Sequence, residues 1–333
     1  MEKLGFIGLG RAMEGLNCGF WLAEKLIQTG NTVYIYDQDG EACAELAKNG
    51  GVVCPDRKTV AERATVIFLM RTFTEEVEQD LFAPDGVAEG IKPGAVVIDL
   101  SSISPEATRS FAARLKERGA QMIDAPVNGG SHRSRDPKST LNLLVGGEDD
   151  AFERVKPYLD IVGRLIIHVG GCGDGQAANV ATQMVNAITI QAICEALVYA
   201  SKLGCDVAKI REALLARFID ETLLEVHSLR PIEHNFEGFF IWEHQKDLEC
   251  ALRTGKELGL SLPATALVQE QFNAVVAAGG RDLDHCALIT VVERNANHTV
   301  HHKNPGYVNG PALEEYGNRN VANLYDLLEK SKN

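Results

Sequence analysis

The chain has 333 residues, 45% hydrophobic and 24% charged, and that balance excludes disorder over most of its length. At roughly 100–200 residues per domain, the length predicts about two domains. Lys and Arg number 33 against 46 Asp and Glu, a formal net charge of −13 that excludes a nucleic-acid polymer as main partner, because a phosphate backbone needs a cationic face.

The first half alternates short apolar runs with helical patterns. Leu4–Gly8, Thr32–Asp37, Val66–Met70, Ala95–Leu100, Gln121–Ala125, Leu141–Val145 and Leu165–His168 read as strands. Amphipathic segments lie between them, among them Glu41–Asn49, Thr74–Leu81, Pro105–Arg118 and Asp149–Leu159. This alternation predicts an α/β fold, a parallel sheet wound on both faces by helices. A run without a breaker then extends from Gln176 to Leu203, with apolar residues at helical spacing through Val180, Met184, Ala187, Ile190, Cys194 and Leu197. Such a helix is long enough to leave one domain and cross another. Everything after it reads as helical: Val207–Phe218, His244–Leu258, Ala264–Ala278 and a shorter segment at Ala287–Glu293. The predicted division is 1–172, a Rossmann-like dinucleotide domain, 173–294, all-helical, and 295–333, a polar extension with a short helical signal at Ala322–Lys330.

The eight cysteines form no C-x-x-C pair and no zinc pattern, which fits a reducing compartment. The apolar start, Met1–Gly10, carries Glu2 and reads as a strand rather than a signal peptide. The most apolar stretch, Met184–Ala200, is interrupted by Asn186, Gln191 and Glu195, so no membrane span is expected and a cytoplasmic protein is. His298, His301 and His302 lack a carboxylate or Cys to complete a metal set, and no metal is expected.

Gly8-Leu9-Gly10 sits at the end of the first strand and before a helix, where glycines allow a tight turn and close approach of backbone N–H groups to a pyrophosphate. Leu9, Arg11, Ala12 and Met13 belong to the same turn. Asp37 ends the second strand, suited to accept hydrogen bonds from an adenosine ribose, and no Arg follows it closely; NAD is therefore expected before NADP. Two features depart from the usual fingerprint. Its third glycine position is Met13, and Asp37 lies well beyond the usual spacing of about 20 residues. The stripe Met13, Leu16, Phe20, Ala23, Ile27 predicts a first helix about two turns longer than typical, with a changed entry.

Five motifs in order resemble the β-hydroxyacid dehydrogenases, the family of 3-hydroxyisobutyrate dehydrogenase, tartronate semialdehyde reductase and 6-phosphogluconate dehydrogenase. They are Gly5-Phe6-Ile7-Gly8-Leu9-Gly10-Arg11, Asp99-Leu100-Ser101-Ser102-Ile103-Ser104-Pro105, Asp124-Ala125-Pro126-Val127-Asn128-Gly129-Gly130, Gly173-Asp174-Gly175-Gln176 and Lys246-Asp247-Leu248. The resemblance covers about residues 3–293. It implies hydride transfer between a nicotinamide and a small hydroxy acid or its carbonyl partner, in a homodimer or homotetramer. It places Met70, Arg71, Thr72, Ser101, Ser102 and Lys246 beside the nicotinamide half. It gives the substrate, a carboxylate, to Ser102, Asn128, Gly129, Gly130, Asn179 and Gln183. The residues agree in part: Asn128-Gly129-Gly130 offers clustered backbone N–H groups, and the basic loop after it, with His132, Arg133 and Arg135, is either a second anion contact on the substrate or a solvated surface loop.

The resemblance also exposes a gap. The family's catalytic Lys aligns with Asn179, one turn before Gln183, and an amide cannot exchange a proton at a useful pKa. Three explanations stand. Another group supplies the proton, with His132, Glu243, His244 or Lys246 as candidates and Lys246 the first choice. Alternatively, water supplies it while Asn179 and Gln183 polarise the carbonyl. Or the substrate differs, as in the imine reductases, which resemble this family and lack its Lys. A non-catalytic NAD-binding relative is the bland alternative. The motif context favours the site for Lys246, and a helix-surface residue paired with Asp247 or Glu243 is the alternative. The aromatics Phe236, Phe239, Phe240 and Trp242 read as a helix-packing cluster, with one or two of them lining the cleft as the alternative.

Overall fold

The structure is a computed structural model and describes residues 2–9, 18–129, 141–215, 227 and 229–300, with backbone alone at 128 and 129. The chain forms two compact units, Met1–Ile188 with Trp242–Glu270, and Thr189–Ile241 with Gln271–Asn333.

The first unit is built on a sheet. Strands β1 (Leu4–Ile7), β2 (Val33–Tyr36), β3 (Val52–Val53), β4 (Val66–Leu69), β5 (Val96–Asp99) and β6 (Gln121–Asp124) are all parallel, in the spatial order 3-2-1-4-5-6 of dinucleotide-binding folds. Helices α1 (Cys18–Gln28), α2 (Gly40–Lys48), α3 (Arg57–Arg63), α4 (Thr74–Phe82) and α5 (Pro105–Lys116) connect them. Every residue of β1, β4 and β5 is buried, which is why these strands read as unbroken apolar runs rather than alternating ones. Their side chains divide between two cores. Phe6, Phe68 and Ile98 pack on one side with Leu22, Leu26 and Leu46; Ile7, Leu69 and Val97 pack on the other with Val60, Phe111 and Leu115. Local chemistry starts the helices: Asp39 caps α2, Asp56 caps α3, and Ser104 with Pro105 opens α5.

The sheet departs from the all-parallel expectation after β6. Strand β8 (Leu141–Gly146) runs antiparallel to β6 and to β7 (Val127–Gly129), and β9 (Leu165–Gly170) runs parallel to β8, so the sheet is mixed. Two short elements, β3 and α3, carried no strong period and were not predicted. Helix α6 (Asp149–Val162) joins β8 to β9, and α7 (Asp174–Lys202) follows.

Helix α7 spans 29 residues and passes from the first unit into the second. By length and composition alone it could cross a membrane; 44% of its most apolar window is buried inside the protein. The described part of the second unit is helical, with α8 (Val207–Leu215) and α11 (Leu288–Ala296). Helix α9 (Ile241–Glu257) carries residues 242–257 back into the first unit, and α10 (Pro263–Ala277) starts there.

Candidate active site

The chemistry-bearing residues of the first unit gather at the carboxyl ends of its parallel strands, where a loop leaving each strand can present backbone and side chains together. At the end of β1, Gly8 has φ +90°, and a Cβ there would lie 2.0 Å from the Met70 carbonyl oxygen. Only glycine fits. The rest of the turn, Gly10, Arg11, Ala12 and Met13, lies outside the described residues.

Asp37 does end beside this turn. Its Oδ2 accepts from Leu9 N at 2.7 Å and its Oδ1 from Asp39 N at 2.8 Å. An arginine also reaches it, from the far side of β1. Arg71 Nη1 lies 3.5 Å from Asp37 Oδ2, and Arg71 Nε donates to Asp80 Oδ2 at 2.5 Å. Asp80, itself buried, takes Arg57 Nε on its other oxygen at 2.5 Å. The backbone N–H of Arg71 donates to Ser101 Oγ at 2.9 Å, while its side chain reaches Asp37 and Asp80.

Around β5 and β6 the partners are uncharged. Ser101 N donates to Asp99 Oδ1, and the Gln176 side chain ties the β5 loop by two bonds, accepting from Ile103 N and donating to Ser101 O. Asp124 receives the first turn of α7, from Gly173 N at 2.7 Å and Gln176 N at 2.8 Å, as a helix cap supplied by another element. Burial pushes the Asp99 carboxyl up to about 7, and burial also raises Asp124 despite its two N–H donors. The Cys172 thiol is raised by burial and by the neighbouring Asp124 charge. Asp124, Gln176, Asp80 and Asp247 were not singled out as site residues by the sequence reading. Asp124, Gln176 and Asp247 sit in quoted motifs, whereas Asp80 has no local signal.

The Ser102 hydroxyl is the centre of a third group. Asn179 Nδ2 donates to Ser102 Oγ at 2.8 Å, and Ser102 Oγ donates to Asp247 Oδ1 at 3.0 Å. Lys246 Nζ donates to the carbonyls of Thr72 and Ser102, both at 2.8 Å, and lies 3.7 Å from Asp247 Oδ1. Lys246 thus touches the backbone of Thr72 and Ser102 and also pairs with Asp247. Gln183 Oε1 accepts from Asn186 Nδ2, and the Gln183 carbonyl accepts from His244 Nε2 at 3.0 Å. That bond commits one nitrogen of the buried His244 as a donor.

Several expectations change or lie outside the described residues. Asn128 and Gly129 belong to strand β7, paired with β8, rather than to an open loop; the strand ladder engages part of the backbone that was expected to be wholly free. Gly130 and the basic loop with His132, Arg133 and Arg135 are outside the described residues. Of the four aromatics, Trp242, in the first unit, stacks on Phe73 at 5.9 Å; in the second unit Phe236 stands edge-on to His234 and Phe239 tilts on His285. In that second unit His227 Nδ1 lies 3.2 Å from Cys286 Sγ, beside His285; burial holds the Cys286 thiol far above its ordinary value. His298 Nε2 meets Ser201 Oγ at 2.9 Å.

A dinucleotide suits these strand ends: the turn at Gly8 closes the first strand of a parallel 3-2-1-4-5-6 sheet, and only glycine makes it, because a Cβ there would meet the Met70 carbonyl. Leu9, Asp37 and the loop after β4 border the same place. Fold and site together define a Rossmann-type, NAD(P)-binding oxidoreductase. The model of the NAD binding domain of 6-phosphogluconate dehydrogenase matches residues 3–171, and that of the NAD-binding domain of NADP-dependent 3-hydroxyisobutyrate dehydrogenase matches residues 173–292. The chain belongs to the β-hydroxyacid dehydrogenase family. It is 42% identical over 299 residues to the 2-hydroxy-3-oxopropionate reductase of Escherichia coli (strain K12), covering 90% of this chain and 99% of that protein. It is 33% identical over 295 residues to the 2-(hydroxymethyl)glutarate dehydrogenase of Eubacterium barkeri, covering 88% and 95%. Among solved structures, the Mycobacterium tuberculosis 3-hydroxyisobutyrate dehydrogenase with L-serine matches at TM-score 0.77 and 28% identity, covering 88% of this chain and 99% of that one.

Proposed function

We propose that the chain interconverts a small 3-hydroxy acid and its semialdehyde or keto partner with NAD as the preferred cofactor. The observation that carries this reading is the Ser102 hydroxyl, held between the Asn179 amide and the Asp247 carboxylate with the Lys246 ammonium alongside. When bound, the nicotinamide supplies or takes the hydride. The chain's own residues do the rest. Gly8, Leu9, Gly10, Arg11, Ala12, Met13 and Asp37 hold the adenosine and pyrophosphate half; Met70, the main chain of Arg71, Thr72, Ser101 and Ser102 border the other. Asn128, Gly129 and Gly130 take the substrate carboxylate. Asn179 and Gln183 orient the reacting oxygen.

Proton exchange falls to Lys246, because Asn179 has no exchangeable proton at a useful pKa. Its ammonium is fixed by two carbonyls 2.8 Å away and is next to the Ser102–Asp247 pair, which connects it to the oxygen that Asn179 faces. Support for the substrate class comes from the relatives, one of which is named for a hydroxy-oxo acid and another for a hydroxymethyl diacid. Residues 1–172 serve as the dinucleotide domain, 173–294 as the substrate and dimerisation domain, and 295–333 as an appended tail, in a cytoplasmic homodimer or homotetramer.

A screen of hydroxy acids, semialdehydes and cyclic imines, each with NAD(H) and NADP(H), tests the reading. Turnover of a semialdehyde or 3-hydroxy acid with NAD(H) is the expected result. Turnover confined to imines would replace it with an imine reductase, and tight NADH binding without any turnover would replace it with a non-catalytic subunit.

A further inference from the structure

The acidic residue at the end of β2 was expected to face a ribose alone, since no arginine follows it closely in the sequence. The fold supplies one from β4. Arg71 is only 15% exposed, and its Nε would lie 3.3 Å from a Cβ placed on Gly8, so the guanidinium lies over the first glycine of the dinucleotide turn. Three fixed points hold it: Ser101 Oγ on its backbone N–H, Asp80 on Nε, and Asp37 facing Nη1. Asp80 is shared with Arg57, which also pairs with Asp85 and lies over the Tyr36 ring. Two arginines face three carboxylates here, Asp37, Asp80 and Asp85, so the cluster has no surplus positive charge for a phosphate.

Remove the charge of Asp37 and that balance changes. Arg71 would keep Asp80, which sets its orientation, and lose the carboxylate in front of its Nη1. What remains is an oriented guanidinium at the end of β2, the place where dinucleotide folds distinguish a ribose hydroxyl from a 2′-phosphate. Asp37 accepts from Leu9 N on Oδ2 and from Asp39 N on Oδ1, so an Asn at 37 discards the charge and keeps one of the two acceptors.

We propose that Arg71 is a latent ligand for the adenosine 2′-phosphate of NADP(H), oriented by Asp80 and masked by Asp37. The proposal rests on the reading of this strand end as the adenosine site. It makes cofactor choice a property of the Arg71–Asp37 pair, not of Asp37 alone.

Equilibrium binding of NADH and NADPH to the full chain, followed by the fluorescence of the reduced nicotinamide, tests it without turnover. The wild type should bind NADH more tightly than NADPH. Asp37→Asn should tighten NADPH by roughly ten- to hundredfold, the worth of one newly available hydrogen bond to a charged group. Adding Arg71→Met to Asp37→Asn should abolish that gain, and adding Arg71→Lys should restore only part of it, because an ammonium lacks the planar fork. Asp37→Ser provides the same comparison should the Asn side chain refill the gap. Thermal melting of each variant separates lost binding from lost folding. Equal NADPH gains with and without Arg71 would overturn the proposal, and so would an Arg71→Met variant that loses NADH and NADPH alike, which would assign Arg71 to the shared pyrophosphate. A wild type that binds neither dinucleotide would instead refute the adenosine-site reading itself.

Discussion

Charge is handled in two different ways along one edge of one sheet. At the ends of β2 and β4, carboxylates are answered by arginines: Asp80 takes both Arg57 and Arg71, and Asp37 faces Arg71. At the ends of β5 and β6, Asp99 and Asp124 are just as buried but are answered by backbone N–H groups of Ser101, Gly173 and Gln176. The consequence is physical. Backbone donors favour the carboxylate but bring no opposite charge, so desolvation prevails and the Asp99 carboxyl rises to about 7. The first region is a fixed electrostatic frame; the second contains a carboxyl that changes protonation near neutral pH.

The sharpest way to break this comparison is to remove the shared anion. Asp80→Ala leaves two arginines without their common partner and should destabilise the fold by about 3–5 kcal/mol. A urea-unfolding change below about 1 kcal/mol, the value of an exposed pair, would show that the frame contributes no more than a surface pair. The next test concerns pH. An acid raised from 3.8 to about 7 binds its proton more tightly in the folded state, so its contribution is fully present below 3.8 and is lost as pH rises through 7. Asp99→Asn should lack that loss and gain up to about 4 kcal/mol on the wild type across this window. Parallel stability–pH curves for the two proteins would refute the assignment.

Asn179→Lys probes the neutral side by adding the missing cation beside Ser102 and Asp247. Alcohol oxidation should rise about 10²-fold, the usual return from a positioned acid or base. Loss of an existing activity would instead give Asn179 its own part in a different reaction. The smallest effect is expected at Ser104, outside both clusters, where Ser104→Ala deletes the cap of α5 and should lower stability by about 1 kcal/mol with cofactor affinity unchanged.

Much of the fold could be read directly because the signals were local. Leu4–Ile7 and Val66–Leu69 are buried on both faces, and Asp39, Asp56 and Ser104 each start a helix where a short polar side chain precedes a helical pattern. The short elements were not legible. Val52–Val53 spans two residues and Arg57–Arg63 seven, too few for a period to emerge. The reversal of β8 against β6 was also hidden, since an apolar run has no direction. For the site, Ser102, Asn179 and Lys246 were found through motif order, and the structure joins them through Asp247. Asp80 was missed because a charged residue in a helix pattern reads as solvated surface unless its partners, 23 and 9 residues away, are known.

By itself, then, the sequence determined the parallel α/β half, the long helix after Cys172, the position of the glycine turn and the family's motifs in order. These depend on neighbours a few residues apart and on side-chain period. Only the tertiary structure decided that Asp37 has an arginine facing it, that Asp124 caps a helix about fifty residues downstream, and that a serine hydroxyl links Asn179 to Asp247. Those pairings arise where the sheet brings separate loops to one edge, and a buried charge or amide takes its partner from whatever the fold places beside it.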